Sequence, residues 1–349
     1  MSGANSFGSK FVLTTFGESH GPGLGAVIDG VPAGLKWDEA VLLRELARRR
    51  PGQSRVVTSR SEADAPEVLS GVFQGRTLGT PIAIVIRNTD QRSEDYKKIA
   101  RSPRAGHADD VWRAKFGHSD PRGGGRSSGR ETVARVIGGS VARMFIASEA
   151  PKLKIVGFAK QIGPYDLSDA DLDAIRSSAA VDKFTARFPS KSQTKKVEKL
   201  LLDAKEIGLS YGGVAELWIA GIPRGLGQPV FRKLKSDFAG AMMSIGATIG
   251  VEFGEGFAAA LAEGSEFHPK AALKEKSRGR SEYGGVRGGL ATGDRLVIRV
   301  AFKPTSSVLD IAKKGRHDPC IVPRAIPVLE SMAALVLADH LLWMRGDRA

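Results

Sequence analysis

Cysteine is almost absent. Cys320 is the only one in 349 residues, which excludes an intramolecular disulfide and any cysteine-built structural zinc site. A reducing, cytoplasmic setting is therefore expected, and no metal. Aromatic side chains supply only 7 % of the chain, and no basic helix carries the interleaved stacking residues that a nucleic-acid-binding protein uses. No uninterrupted apolar run comes near the roughly 20 residues that cross a bilayer. Residues 1–11 also lack the basic-then-apolar order of a secretion signal, so neither a membrane protein nor an exported one is expected.

Acidic residues are in deficit: 38 Asp and Glu face 52 Lys and Arg, for a net charge of +14. The partner should be an anion, whether nucleic acid, membrane surface or phosphorylated metabolite. Glycine is in excess, with 42 residues, about 12 % against a usual level near 7 %. Backbone without side chains can approach a ligand closely, which favours a site built from main chain.

Short glycine-punctuated strands are expected at 11–15, 25–28, 68–73 and 81–87, the last apolar on both sides and so covered on both faces. Between them the spacing predicts a helix over 37–49, capped by Asp38 and ended by Pro51-Gly52. Ser128-Gly129-Arg130-Glu131 has capping-box spacing and leads into the periodic apolar residues Val133, Val136, Ile137, Val141 and Phe145, predicting a helix from Ser128. Further on come a strand at 155–158, a short polar helix at 170–176, a Lys-rich helix at 192–205 and a strand at 213–219. A helix at 230–245, strands within 251–260 and at 296–302, and a last helix at 323–343 complete the chain. No linker divides it, and residues 1–349 are read as one α+β domain.

Several segments carry chemistry. Gly123-Gly124-Gly125-Arg126-Ser127-Ser128 brings open backbone N–H groups, hydroxyls, a guanidinium and a helix N-terminus to one point, a constellation suited to phosphate. It lacks the Gly-Lys-Ser/Thr ending of a Walker loop. His20 lies in Gly17-Glu18-Ser19-His20-Gly21 and His107 in Gly106-His107-Ala108-Asp109, both in glycine-bounded turns where an imidazole can deliver a proton near neutral pH. Arg48, Arg49, Arg50, Arg55 and Arg60 read either as a polyanion contact or as a solvated helix face with Glu45 paired to Arg49. Lys303-Pro304-Thr305-Ser306-Ser307 sets an ammonium before three hydroxyls. In Gly315-Arg316-His317-Asp318-Pro319-Cys320, Asp318 reads alone as a turn or cap residue and Cys320 as buried packing.

Taken in order, these segments, together with Asn88-Thr89-Asp90-Gln91-Arg92-Ser93 and Glu131-Thr132, resemble the motifs of chorismate synthases, from about Phe7 to Leu342. The resemblance implies a β-α-β sandwich with helices packed between antiparallel sheets, usually assembled as a homotetramer. It implies a lyase of the shikimate pathway, and so of aromatic amino-acid biosynthesis. The reaction is removal of phosphate from 5-enolpyruvylshikimate 3-phosphate in a 1,4-anti elimination that gives chorismate, with reduced FMN required and no net redox change. By position, His20 would protonate the departing phosphate, His107 would protonate the reduced flavin, and Asp318 would help the flavin take up hydrogen from the substrate. The resemblance assigns FMN contacts to Arg126, Ser127, Ser128, Gly246, Ala247, Gly288, Lys303, Pro304, Thr305, Ser306, Ser307 and Arg316. Arg49 and Arg55 match positions assigned to NADP(H) and could equally grip substrate phosphate. Either NADPH or a separate flavin reductase would supply the reduced cofactor.

The sequence departs from the family pattern in places. Gly246-Ala247 stands where Asn-Ala is common, Ser281-Glu282-Tyr283 where many members have Asn-His-Ala, and Ala105 replaces a common proline. The segment between Ser307 and Lys314 is short. A flavin-dependent relative acting on a different phosphorylated acid is the alternative these departures raise.

Overall fold

The computed structural model describes residues 3–50, 56, 64–88, 106–118, 120, 124–268, 282–306 and 318–347. One antiparallel sheet is built from β1 (Ser6–Phe7), β2 (Val12–Gly17), β3 (Gly23–Asp29), β4 (Pro66–Val68) and β7 (Ile82–Arg87), in the order β1-β2-β3-β7-β4. A second contains β8 (Lys154–Ile162), β9 (Tyr165–Asp166), β10 (Gly213–Ala220), β11 (Thr248–Phe253) and β14 (Leu296–Phe302), in the order β11-β14-β10-β8-β9. Two hairpins stand apart: β5 (Val72–Phe73) with β6 (Arg76–Thr77), and β12 (Val286–Arg287) with β13 (Leu290–Ala291). The helices are α1 (Glu39–Arg49), α2 (Asp109–Phe116), α3 (Thr132–Glu149), α4 (Asp169–Asp173), α5 (Ser178–Val181), α6 (Thr194–Ile207), α7 (Leu234–Met243) and α8 (Val322–Met344).

Two helices fill the space between the sheets. α3 lies on β2 and β3, α8 lies on β8 and β10, and the two pack on each other, so the architecture is the α+β sandwich with helices between antiparallel sheets. Side-chain size sets the layer spacing. A Cβ on Gly138 would fall 2.8 Å from the Leu13 side chain of β2, and one on Gly139 would fall 2.3 Å from Ser331 Cβ of α8. The glycine pair therefore lets α3 touch a sheet on one side and a helix on the other.

The charge inside this middle layer is paired. Glu330 of α8 is fully buried and accepts hydrogen bonds from Gly157 N (2.7 Å), Ser178 Oγ (2.8 Å) and Arg143 Nη2 (3.1 Å), and from Arg48 of α1. Arg48 also meets Asp182 at 2.6 Å, and Asp182 meets Arg187 at 2.6 Å. Burial tends to raise the Glu330 carboxyl, but Arg48 and Arg143 outweigh it and hold the group below the usual glutamate range. α8 is 23 residues long and apolar enough to span a bilayer on length and composition alone, yet 94 % of its apolar window is buried within the protein. The polar residues that break up its apolar run in sequence are the ones that pair inside the fold.

Several sequence expectations are met closely. Asp38 caps α1 through Ala40 N at 3.1 Å, and β14 spans the residues its pattern predicts. Others are corrected. In β7 only Ile82, Ile84 and Ile86 are buried, so one face rather than both is covered by the core. The stretch 68–73 is two strands parted at Gly71, whose φ is +81°. The expected helix 230–245 begins only at Leu234, leaving Val230 and Phe231 exposed. Within 251–260 the strand stops at Phe253 and a 3-10 turn, Gly256–Leu261, follows. Glu45 pairs with Arg48 and Arg44, not with Arg49.

Candidate functional site

The glycine-rich approach to α3 is wound into two 3-10 turns, Gly125–Ser127 and Gly129–Glu131, before the α-helix begins at Thr132. Ser128 Oγ accepts from Arg130 N at 3.3 Å, but the predicted capping box does not close. Glu131 instead binds Arg135 Nε at 2.9 Å and the Thr15 hydroxyl at 3.2 Å. The loop thereby gains long-range partners that a self-contained cap would have consumed.

Those partners bring it to the His20 turn. Arg126 donates to Gly17 O (3.3 Å), Thr15 O (3.3 Å) and Thr15 Oγ1 (2.5 Å). The turn itself connects β2 to β3, where Gly17, at φ +86°, lies so close to Gly23 O that a Cβ would fall 2.2 Å away. His20 is 7 % exposed and its Nδ1 lies 2.9 Å from Ser19 Oγ. Arg49, 1 % exposed, donates to Gly129 O at 2.8 Å and to Thr132 Oγ1 at 3.2 Å. His20, Arg49, Arg126, Ser127 and Ser128 thus belong to one group of loops. Ser127 Oγ is turned back on Gly124 O at 2.7 Å.

A second group assembles around the end of β14. Ser306 Oγ donates to Gly106 O at 2.7 Å and Lys303 Nζ reaches the same oxygen at 3.3 Å, which fastens the His107 turn. His107 Nδ1 lies 2.7 Å from Asp109 Oδ1, a contact that orients the ring. Thr305 Oγ1 donates to Asp318 O at 3.1 Å, and Arg324, in the first turn of α8, holds the Asp318 carboxylate at 2.6 Å. Pro304 lies over Gly212, where a Cβ would be 3.2 Å from its Cδ. Ala247, in left-handed backbone at φ +70°, accepts from Lys303 N at 3.0 Å, and Gly246 beside it is exposed.

The start of α3 joins the two groups. Arg135, held by Glu131, donates to Ser244 Oγ at 2.6 Å and to Ser244 O at 3.0 Å, just before Gly246-Ala247. Gly288 lies elsewhere: it turns the β12–β13 hairpin, which is fastened to α7 through Leu234 N and Gly289 O at 2.8 Å and to Leu226. Arg55, Ser307 and Arg316 lie outside the described residues. The Tyr283 departure is taken up locally, with its hydroxyl 2.8 Å from His268 Nδ1 and its ring edge-on to Phe267. Cys320 is buried, and burial pushes its thiol up to about 12, which excludes it as a nucleophile.

Sequence reasoning missed two positioning side chains, Arg135 and Arg324. Only Arg324 left a signal, since a cation in the first turn of a helix opposes the dipole and implies an acidic partner nearby.

The site's residues fit a phosphorylated cofactor. Among the described residues no carboxylate lies within ion-pair distance of Lys303, whose contacts are the Gly106 carbonyl and the Ser306 hydroxyl. An ammonium of this kind, beside the Ser306 hydroxyl, matches the donor set a phosphate needs.

Comparison with known proteins agrees over the whole chain. A family model described as chorismate synthase matches residues 11–342. The chain is 59 % identical over 348 residues to the chorismate synthase of Bdellovibrio bacteriovorus, covering 99 % of each. It is 46 % identical to that of a Jannaschia species over 98 % of this chain and 96 % of the relative. It is 44 % identical to that of Rippkaea orientalis, over 98 % of both. A crystal structure of a chorismate synthase superposes with a TM-score of 0.74 at 33 % identity, covering 97 % of this chain and 93 % of the other.

Proposed function

This chain belongs to the chorismate synthase family of lyases, and on that premise we propose that it eliminates phosphate from 5-enolpyruvylshikimate 3-phosphate in the 1,4-anti sense to give chorismate, with reduced FMN bound beside the substrate. One observation supports this reading most. The two histidine turns are each fastened to a cation-bearing loop, His20 through Arg126 and His107 through Lys303, and the start of α3 links the loops.

The protein's share of the chemistry follows from these contacts. In the elimination a C–H and a C–O bond break, a new C=C bond forms, and phosphate leaves as an anion that needs a proton and neutralising charge. His20 has Nδ1 against Ser19 and meets the leaving group through Nε2. When bound, reduced FMN would supply transient electron density that assists phosphate departure, with no net redox change. Lys303, Thr305, Ser306, Arg126, Ser127 and Ser128 would hold its phosphate and ribityl oxygens, with Ser307, Arg316, Gly246, Ala247 and Gly288 as further family positions. His107 is oriented by Asp109, and Asp318 is oriented by Arg324. Both match family positions that serve the cofactor.

The protein is further proposed to act in the cytoplasm as a homotetramer, on flavin reduced by NADPH or by a separate reductase. Exposed apolar residues support the assembly: Ile249 on the edge strand β11, and Phe257 and Leu261 just after it, are 62 %, 81 % and 93 % exposed.

The test is an anaerobic assay of purified protein with the enolpyruvyl substrate and photoreduced FMN, with and without NADPH. Chorismate should form only with reduced flavin. Turnover without any flavin would refute the proposal.

A further inference from the structure

The side chain best placed to fix His20 is an asparagine to which nothing above assigns a role. Asn88 follows the last residue of β7, and its own N–H donates to Pro22 O at 3.1 Å. Its Nδ2 lies 2.8 Å from Gly21 O, 3.3 Å from Glu18 O and 3.4 Å from Ser19 O. Its Oδ1 accepts from Arg130 Nη2 at 3.2 Å and Nε at 3.4 Å. Three carbonyls on one side and a guanidinium on the other permit a single orientation of the amide. Arg130 is paired with Asp64, which lies 3.4 Å from Arg49 Nη1. These three side chains are between 1 % and 5 % exposed, and Asp64 holds a left-handed backbone at φ +46°, a conformation that persists where surroundings enforce it.

We propose that Asn88 is the positioning residue of the His20 turn, and that the buried chain Arg49–Asp64–Arg130 sets its position against the glycine loop, so that Arg49 acts as an internal strut. The proposal rests on the reading of His20 as the proton donor. Asn88 clamps all but one of the carbonyls from Glu18 to Gly21, the residues that decide where the imidazole points. Arg130 belongs to the loop whose serines are assigned to the cofactor. The amide therefore transmits the position of one loop to the other, and a displacement of about 1 Å at a reacting group costs on the order of 10²-fold in rate.

Asn88→Asp separates the two halves of the amide: it keeps an acceptor for Arg130 and removes both donors to the turn. In the anaerobic assay kcat should fall about 10²-fold with KM within about threefold. In a His20→Ala background the same change should cost less than about threefold, since it acts through His20. Retained kcat, or the full loss repeated without His20, overturns the proposal. Amide hydrogen exchange gives a readout independent of activity. Residues 18–21 should exchange at least about tenfold faster in Asn88→Asp while β3 is unchanged, and unchanged protection of the turn overturns the proposal even if the protein catalyses another reaction. An inactive wild type with the exchange effect intact would count against the functional reading alone. Arg49→Lys should lower kcat without raising KM for the phosphorylated substrate; a selective rise in KM would make Arg49 a ligand contact and refute the strut.

Discussion

Replacing Glu330 by Gln removes one negative charge from the middle of the sandwich and leaves its cations in place. Arg48 and Arg143 both bind Glu330 Oε2, while Gly157 N and Ser178 Oγ bind Oε1, and both guanidiniums lie on largely buried side chains. Breaking a buried ion pair from one side costs about 3–5 kcal/mol. A chain of this length unfolds with an entropy of about 0.7 kcal/mol per kelvin, so Tm should fall by about 4–7 °C. The pH dependence has a definite sign. The Glu330 carboxyl is held below its ordinary range, because Arg48 and Arg143 together outweigh the burial that tends to raise it. Its stabilisation is complete above the unfolded value near 4.3 and is lost as pH falls through the depressed folded value. Calorimetry of wild type and Glu330→Gln should show a constant Tm gap from pH 8 to about 5 that shrinks on further acidification. A gap under about 1 °C at pH 7, or one that widens in acid, would show that Glu330 does not stabilise the fold through its charge.

Other perturbations have equally defined outcomes. His20→Ala and His107→Ala should each lower turnover by about 10²- to 10⁴-fold in the anaerobic assay, and full activity in both would remove the proton roles. Gly139→Val places methyl groups where Ser331 Cβ already lies 2.3 Å from the added Cβ, so α3 and α8 must separate; a loss of about 3 kcal/mol or more in denaturant titration is expected, and wild-type stability would contradict the layer spacing. Cys320, buried with its thiol pushed up to about 12, should resist alkylation by iodoacetamide at pH 8 in the native state and react on unfolding; rapid native labelling would show the burial to be wrong.

Local chemistry explains what could be read from the residues alone. Asp38 ahead of Glu39 needs only its own helix to act as a cap, and β14 needs only alternation, so both were legible. Ser128 and Glu131 have the spacing of a capping box, but Glu131 has stronger partners in Arg135 and Thr15, the latter 116 residues away. The strand expected through 251–260 ends where Gly254 and Gly256 both take φ near +58°. For the site, glycine-bounded histidines and the Lys303 turn announced themselves by composition. Their supports did not, because Asn88 meets Gly21 across 67 residues and Arg135 meets Ser244 across 109, and no local pattern encodes such a contact. Arg48 and Arg49 show the limit most plainly. They are adjacent in sequence and identical in type, yet one neutralises Glu330 between the layers and the other braces the glycine loop, a division set by which side of α1 faces α3.

These loops are proposed to form one site where a reduced flavin assists phosphate loss without being consumed. The most direct measurement follows chorismate formation and flavin absorbance together in one sealed anaerobic cuvette, with substrate in large excess over photoreduced FMN. Many chorismate molecules should form per flavin, with the flavin still reduced at the end; one flavin oxidised for each product, or equal rates with the flavin omitted, would rule this site chemistry out.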